Sequence, residues 1–258
     1  SISSPYTLHP TVFAVEDGYQ IIFTTEGTGM AWVEVGGIKY KDITTGNMNW
    51  ASKYHKVTVP RIALDTARSY KLCFQSMSTR AAYYPEHGST VSRTYPFTPI
   101  GDKTSPVLLC LSDFRGLTAE AQAVSQTKSF DLLFIGGDYA YHGNTEANIR
   151  TLLSTCSTIT SGTKPVIYSR GNREVRGNYA YLLDQAAPTS AEGKSYYTFE
   201  QNNLFGIVLD TGEDKADSNS AYGGTIAYEN FRKEQTQWLK EVVAAGKWKD
   251  YPTRIAFA

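Results

Sequence analysis

Pro106-Val-Leu-Leu-Cys-Leu-Ser-Asp113, Asp131-Leu-Leu-Phe-Ile-Gly-Gly-Asp138-Tyr-Ala-Tyr141 and Pro165-Val-Ile-Tyr-Ser-Arg-Gly-Asn172-Arg-Glu174 share one plan. Each is a short apolar run that ends in a turn, and each turn opens on a polar residue able to bind a metal. In open α/β sheets, sites form outside the carboxyl ends of the strands. Three such ends in one sheet can converge on a point, so the segment from Pro106 to Arg176 decides the reading of the whole chain.

Outward from that segment, the second half alternates strand and helix. Val107 to Leu111 reads as a strand covered on both faces, because its apolar run is continuous. Thr118 is placed to cap a helix running to about Thr127. Leu132 to Ile135 and Val166 to Tyr168 are the next strands. Between them, from Asn144, Ile149, Leu152, Leu153, Cys156 and Ile159 follow a helical stripe. A short helix over 177–184 follows. Tyr196 to Phe199 and Leu204 to Leu209 read as a strand pair across Gln201-Asn-Asn203. A last helix starts at Asn230, with Phe231, Trp238, Leu239 and Val242 on one face. Thr253 to Phe257 reads as a buried strand.

The first hundred residues carry strand patterns and almost no helical ones. Tyr19 to Thr25, Met30 to Val35, Lys56 to Val59 and Tyr70 to Gln75 are rich in β-branched and aromatic residues, and Glu16-Asp-Gly18, Glu26-Gly-Thr-Gly29, Gly36-Gly37 and Thr45-Gly-Asn47 punctuate them. Strands at this spacing predict an antiparallel β-sandwich over residues 1–103, of fibronectin type III or immunoglobulin kind. The cysteine-tryptophan pattern of antibody domains is missing, which favours the fibronectin form. Thr98 to Pro106 reads as a linker from its prolines, glycine and small polar residues. An α/β layered sandwich over 104–258 follows, expected to be incomplete at its C-terminal side. His9, His55 and His87 are scattered and read as surface or packing residues.

Lys plus Arg and Asp plus Glu each total 25, so the net charge is zero and gives no case for nucleic acid or an acidic membrane as partner. Cys73, Cys110 and Cys156 lack metal-site spacing, and Cys110 and Cys156 are expected to be inert core residues. No apolar run reaches the roughly 18 residues a membrane helix needs. The chain begins at Ser1, which is compatible with removal of a signal peptide and an extracytoplasmic location.

Asp113 offers a hard, anionic ligand for a divalent or trivalent cation, although aspartate is also a common turn residue. Asp138 follows Gly136-Gly137, which permit close backbone approach. Tyr141 offers a phenolate to a strongly Lewis-acidic metal, or simply packs. Asn172 offers an amide oxygen, or tolerates an unusual turn conformation.

Asp113, the Gly-Asp138-x-x-Tyr141 block and Gly171-Asn172-x-Glu174, in this order, resemble the calcineurin-like metallophosphoesterase superfamily, and the Gly-Asp-x-x-Tyr form resembles purple acid phosphatases with an N-terminal fibronectin-like sandwich. The stretch from Gly206 through Asp210 to Lys215, and Phe231 with Gln235-x-x-Trp238-Leu239, are similar to bacterial secreted members. The resemblance implies that Asp113 and Tyr141 bind a first metal, Asp138 bridges and Asn172 binds a second, with iron paired with zinc, manganese or iron. It implies hydrolysis of a small phosphorylated substrate by a hydroxide bridging the two ions.

Two positions depart from the family. Arg115 stands where many members have His after the first Asp, and Arg173 replaces the His of Gly-Asn-His-Glu. Arginine contacts phosphate through its fork but does not give up a proton. Arg115 and Arg173 are therefore the candidate substrate-phosphate contacts. The family's later histidines do not occur in the sequence, so the expectation is a fragment of a longer protein or a metal-poor, non-catalytic descendant that binds polyanions through Arg115 and Arg173. A surface-adhesion or carbohydrate-binding role is the third reading.

Overall fold

The computed structural model describes residues 1–80 and 83–258, and the side chains of all of these except 78–80. The first half contains β1 (Thr11–Val15), β2 (Gly18–Thr24), β3 (Gly29–Val35), β4 (Ile38–Lys41), the small hairpin β5 (Ile43–Thr44) and β6 (Asn47–Met48), β7 (Tyr54–Pro60), α1 (Arg61–Ala67), β8 (Ser69–Arg80) and β9 (Pro85–Pro96). Strands β1, β2 and β7 pair antiparallel, and β4, β3, β8 and β9 form a second antiparallel layer. Between the layers, the buried His55 ring lies 5.2 Å from Phe23 and 5.4 Å from Phe74. Its Nε2 is 2.8 Å from Thr25 Oγ1, so this histidine is a packing residue. The seven-residue helix α1 interrupts the strands of this half, and the sequence reading did not place it. Its last turn closes on Arg68, whose left-handed conformation lets its N–H bond Leu64 O.

The second half contains β10 (Leu108–Leu111), α2 (Thr118–Ser125), β11 (Leu132–Ile135), α3 (Glu146–Thr160), β12 (Pro165–Tyr168), α4 (Leu183–Ala186), β13 (Tyr197–Gln201), β14 (Leu204–Val208), α5 (Tyr228–Ala245) and β15 (Thr253–Phe257). Strands β10, β11 and β12 are parallel neighbours, as the repeated apolar runs require. The sheet does not stop at the expected boundary near residue 103. Strand β1 pairs in parallel with β12, Val12 opposite Pro165 and Phe13 opposite Val166, giving one sheet in the order β10-β11-β12-β1-β2-β7. One continuous apolar core runs from Val12, Phe13 and Ile21 through Leu133 and Ile167 to Phe199.

The expected linker is also tied down. Asn202 Nδ2 donates to Gly101 O, Asn203 Nδ2 to Asp102 O and Thr253 Oγ1 to Thr104 O. Its composition suggested freedom, but partners distant in sequence satisfy its backbone.

Strands β13, β14 and β15 form a second, smaller sheet. Phe257 stacks on Phe134 with ring centres 3.8 Å apart, bringing the two sheets into face contact. Three expectations change here. Strand β10 is an edge strand, so its side chains are partly exposed and Cys110 is exposed rather than inert in the core. Strand β15 is likewise an edge and alternates half-buried and exposed residues. Thr118 does not cap α2: Leu117 holds the cap position without a side-chain bond, and Thr118 Oγ1 lies 3.2 Å from Thr155 Oγ1.

Helix α3 packs through Ile149, Leu152, Leu153 and Cys156, the stripe the sequence shows. Its cap is Thr145, whose Oγ1 accepts from Asn148 N at 3.1 Å. Replacing Thr145 with Ala removes that acceptor, and the expected loss is about 1 kcal/mol in a urea titration. Among the described residues no helix is long and apolar enough to cross a membrane.

Candidate functional site

Strands β10, β11, β12 and β15 all deliver their carboxyl ends to one crevice of about 410 Å³. Ser112, Asp113, Gly136, Gly137, Asp138, Gly171 and Asn172 line it, with Glu213 and Asp214 from the loop after β14. A larger cleft of about 980 Å³ lies elsewhere, between the β5–β6 hairpin and residues 184–193.

The strand-end turns are laced together by backbone bonds. Asp113 N donates to Gly137 O, Arg115 N to Asp138 O and Gly116 N to Tyr139 O. Asp113, Arg115 and Asp138 have φ of 53°, 46° and 50°. Aspartate tolerates this left-handed region, and arginine there is uncommon. Such conformations persist where surrounding contacts over-determine them, and they cluster at functional sites.

Beneath the turns lies Glu174, with 0% of its surface exposed. Both its oxygens accept from Asp138 N, at 3.0 and 2.9 Å, and Oε1 also accepts from Gly171 N and Tyr168 OH. Burial pushes its carboxyl up to about 7, against those donors. This one side chain ties the turn after β11 to the turn after β12.

Asn172 is aimed by a second carboxylate. Its Nδ2 donates to Glu213 Oε2 at 3.1 Å. Burial alone would raise the Glu213 carboxyl, but hydrogen bonds from Arg176 and Asn172 outweigh it and hold the group below its ordinary value. An ionised carboxylate only accepts, so the amide nitrogen must face Glu213, and the oxygen is the end left to serve a cation.

The arginines are where the arrangement departs most from the sequence expectation. Arg115 grips Asp113 with two bonds, Nε to Oδ1 at 2.7 Å and Nη2 to Oδ2 at 3.3 Å. Arg173 Nε lies 3.6 Å from Asp138 Oδ2, and its guanidinium carbon lies 4.8 Å over the Tyr141 ring. Tyr141 is 55% exposed and outside the crevice lining. Of the four expected metal ligands, then, Asp113, Asp138 and Asn172 share the crevice, while Tyr141 stands at its rim beneath Arg173.

Two deeper pairs escaped the sequence reading. Arg170 Nε donates to Asp210 Oδ2 at 2.7 Å, and Arg176 grips Glu213 through Nε and Nη2. A signal existed for both acids: the apolar run before Asp210-Thr-Gly-Glu213 repeats the strand-then-acid plan of the opening three. Nothing local foretells their arginine partners.

Hard oxygen donors at Asp113, Asp138 and Asn172 fit a hard cation, which can complete its shell with water. They do not close a two-metal centre. Among the described residues no three His, Cys, Asp or Glu side chains are grouped to hold a metal, and Asp113 and Asp138 each have an arginine partner.

No protein-family model and no curated protein matches the sequence. Among solved structures, a purple acid phosphatase from seeds of yellow lupin (Lupinus luteus) superposes over 96% of this chain, with a TM-score of 0.60. Over that length the chain shares the fold of the lupin protein. Sequence identity is 13%, and the chain spans about half the length of the lupin chain. A bacterial immunoglobulin-like domain from the M. primoryensis ice-binding adhesin matches 34% of this chain at 18% identity, with a TM-score of 0.23.

Proposed function

We propose that the crevice serves hydrolysis of a small phosphate ester, with Asp113, Asp138, Tyr141 and Asn172 as the ligands this chain contributes to a metal centre. One observation carries the reading: the carboxyl ends of β10, β11 and β12 bring Asp113, Asp138 and Asn172 to one crevice, in a fold similar to a purple acid phosphatase. When bound, such metals supply an activated hydroxide and neutralise phosphoryl oxygens. The chain's own residues do the positioning. Glu174 sets the spacing of the Asp138 and Asn172 turns, Glu213 orients the Asn172 amide, and Arg115 and Arg173 offer forks that match phosphate.

A non-catalytic, polyanion-binding descendant is the second reading. It is favoured by the placement of Arg115 and Arg173 on the aspartates a cation would need.

The test is metal analysis together with aryl phosphate hydrolysis from pH 4 to 9, with iron, zinc or manganese supplied. The expected result is turnover that Asp138→Ala lowers on the order of 1,000-fold, the rate equivalent of several kcal/mol. Phosphate binding without turnover under any metal selects the second reading. Neither metal binding nor phosphate binding overturns both.

A further inference from the structure

We propose that Arg115 and Arg173 are exchangeable counter-ions: each neutralises a crevice aspartate until a cation takes that aspartate, and is then released to hold the substrate phosphate. The inference rests on the phosphoesterase reading and adds a coupling between cation and phosphate that the reading does not require.

The molecule contains two kinds of arginine–carboxylate pair around the crevice, and they differ in how firmly they are held. Asp210 and Glu213 are almost wholly buried, with side chains 2% and 1% exposed. Each has further fixed donors. Asp210 accepts from Ser195 Oγ and from Gly212 N, and Glu213 from Asn172 Nδ2 and Tyr222 OH. Removing Arg170 or Arg176 would strand a buried charge, so those pairs belong to the frame.

The Asp113 and Asp138 pairs are of the other kind. Arg115 and Asp113 have side chains 40% and 56% exposed, so water screens their attraction. Asp138 is divided between its two oxygens. Oδ1 is fixed by the backbone N–H of Arg173 at 3.1 Å, whereas Oδ2 meets only the loose 3.6 Å approach of the Arg173 side chain. Oδ2 is therefore the oxygen whose partner is more easily displaced.

A divalent cation outcompetes a screened guanidinium for a carboxylate, because it brings two charges and a direct bond. The displaced arginines remain tethered at residues 115 and 173, beside the same crevice. Their planar forks suit phosphate oxygens as well as carboxylate oxygens. Cation and phosphate then bind with positive coupling, and linkage makes that coupling reciprocal.

The experiment is calorimetry on the 258-residue protein, with Mn²⁺ alone, inorganic phosphate alone and each in the presence of the other. Arg115→Ala, Arg173→Ala and the double variant are compared after circular dichroism confirms their fold, and Arg115→Gln provides a second replacement. In the parent protein, Mn²⁺ is expected to tighten phosphate roughly tenfold or more, the range ordinary for coupled sites. In each single variant Mn²⁺ alone should bind severalfold tighter, because its competitor is gone, while phosphate binding in the presence of Mn²⁺ weakens. In the double variant the coupling should fall most. Mn²⁺ binding of equal strength in parent and variants overturns the exchange and leaves the phosphoesterase reading standing. Absence of Mn²⁺ binding from parent and variants alike overturns both.

Discussion

Glu174→Ala is expected to destabilise the protein by about 4 kcal/mol at pH 5, with a penalty that shrinks as the pH rises. The substitution removes the acceptor for Asp138 N, Gly171 N and the Tyr168 hydroxyl, all held below the crevice floor. A buried donor left without a partner costs about 1–3 kcal/mol, so three of them exceed the lost hydrogen bonds themselves. Folded domains hold only about 5–15 kcal/mol in total, which makes this a large fraction. The pH dependence follows from the sign of the shift. Burial raises the Glu174 carboxyl from the usual value of 4.5 to about 7. A raised carboxyl favours the folded state most below the unfolded value, and that contribution is lost as the pH climbs through about 7. The whole shift is worth about 3 kcal/mol, and most of it, about 2.5 kcal/mol, should disappear from the gap between parent and variant from pH 5 to pH 8. Urea titrations of both proteins across that range measure it. A gap that stays constant with pH would show that Glu174 does not titrate between its folded and unfolded values. Tyr168→Phe removes a single donor and should cost much less.

How far the sequence foretold this site depends on which residue is asked about. The meeting of Asp113, Asp138 and Asn172 at one crevice was legible because the strand ends repeat a local pattern: an apolar run, a turn and a polar residue. The same logic found β10, β11 and β12 and the buried stripe of α3. It failed where the deciding partner lies far along the chain. Strand β1 is five residues of apolar sequence, and nothing within them says that β12, some 150 residues later, completes their pairing. The exposure of Cys110 has the same origin, since whether an apolar strand is central or an edge is settled by what pairs beside it. Arg115 and Arg173 were visible as departures from a family pattern. Their bonds to Asp113 and Asp138 were not, because those depend on left-handed turns at 113, 115 and 138 that only the assembled crevice imposes.

The close approach of the second and third turns was legible only as permission, in the pair Gly136-Gly137. The structure turns permission into requirement at Gly137. A Cβ there would stand 2.4 Å from Gly171 N and 2.6 Å from Gly171 Cα, with φ at +76°. Both obstructing atoms are backbone, so no side chain can swing aside. Gly137→Ala should therefore cost roughly 3–5 kcal/mol, combining a left-handed alanine with a separation of the two turns. The two contributions can be told apart within this same protein. Gly193 has nearly the same φ, +77°, but nothing within 4 Å of its Cβ position. Gly193→Ala should then cost about 1 kcal/mol, the conformational part alone. The difference between the two variants measures the contact between the turns. If the expected site exists, only Gly137→Ala should also weaken Mn²⁺ binding, because it pushes Asp138 away from Asn172, whereas Gly193 is not among the residues lining the crevice. Equal stability losses in the two variants would mean that the turns part without cost, and that the spacing of Asp138 and Asn172 is not fixed by this approach.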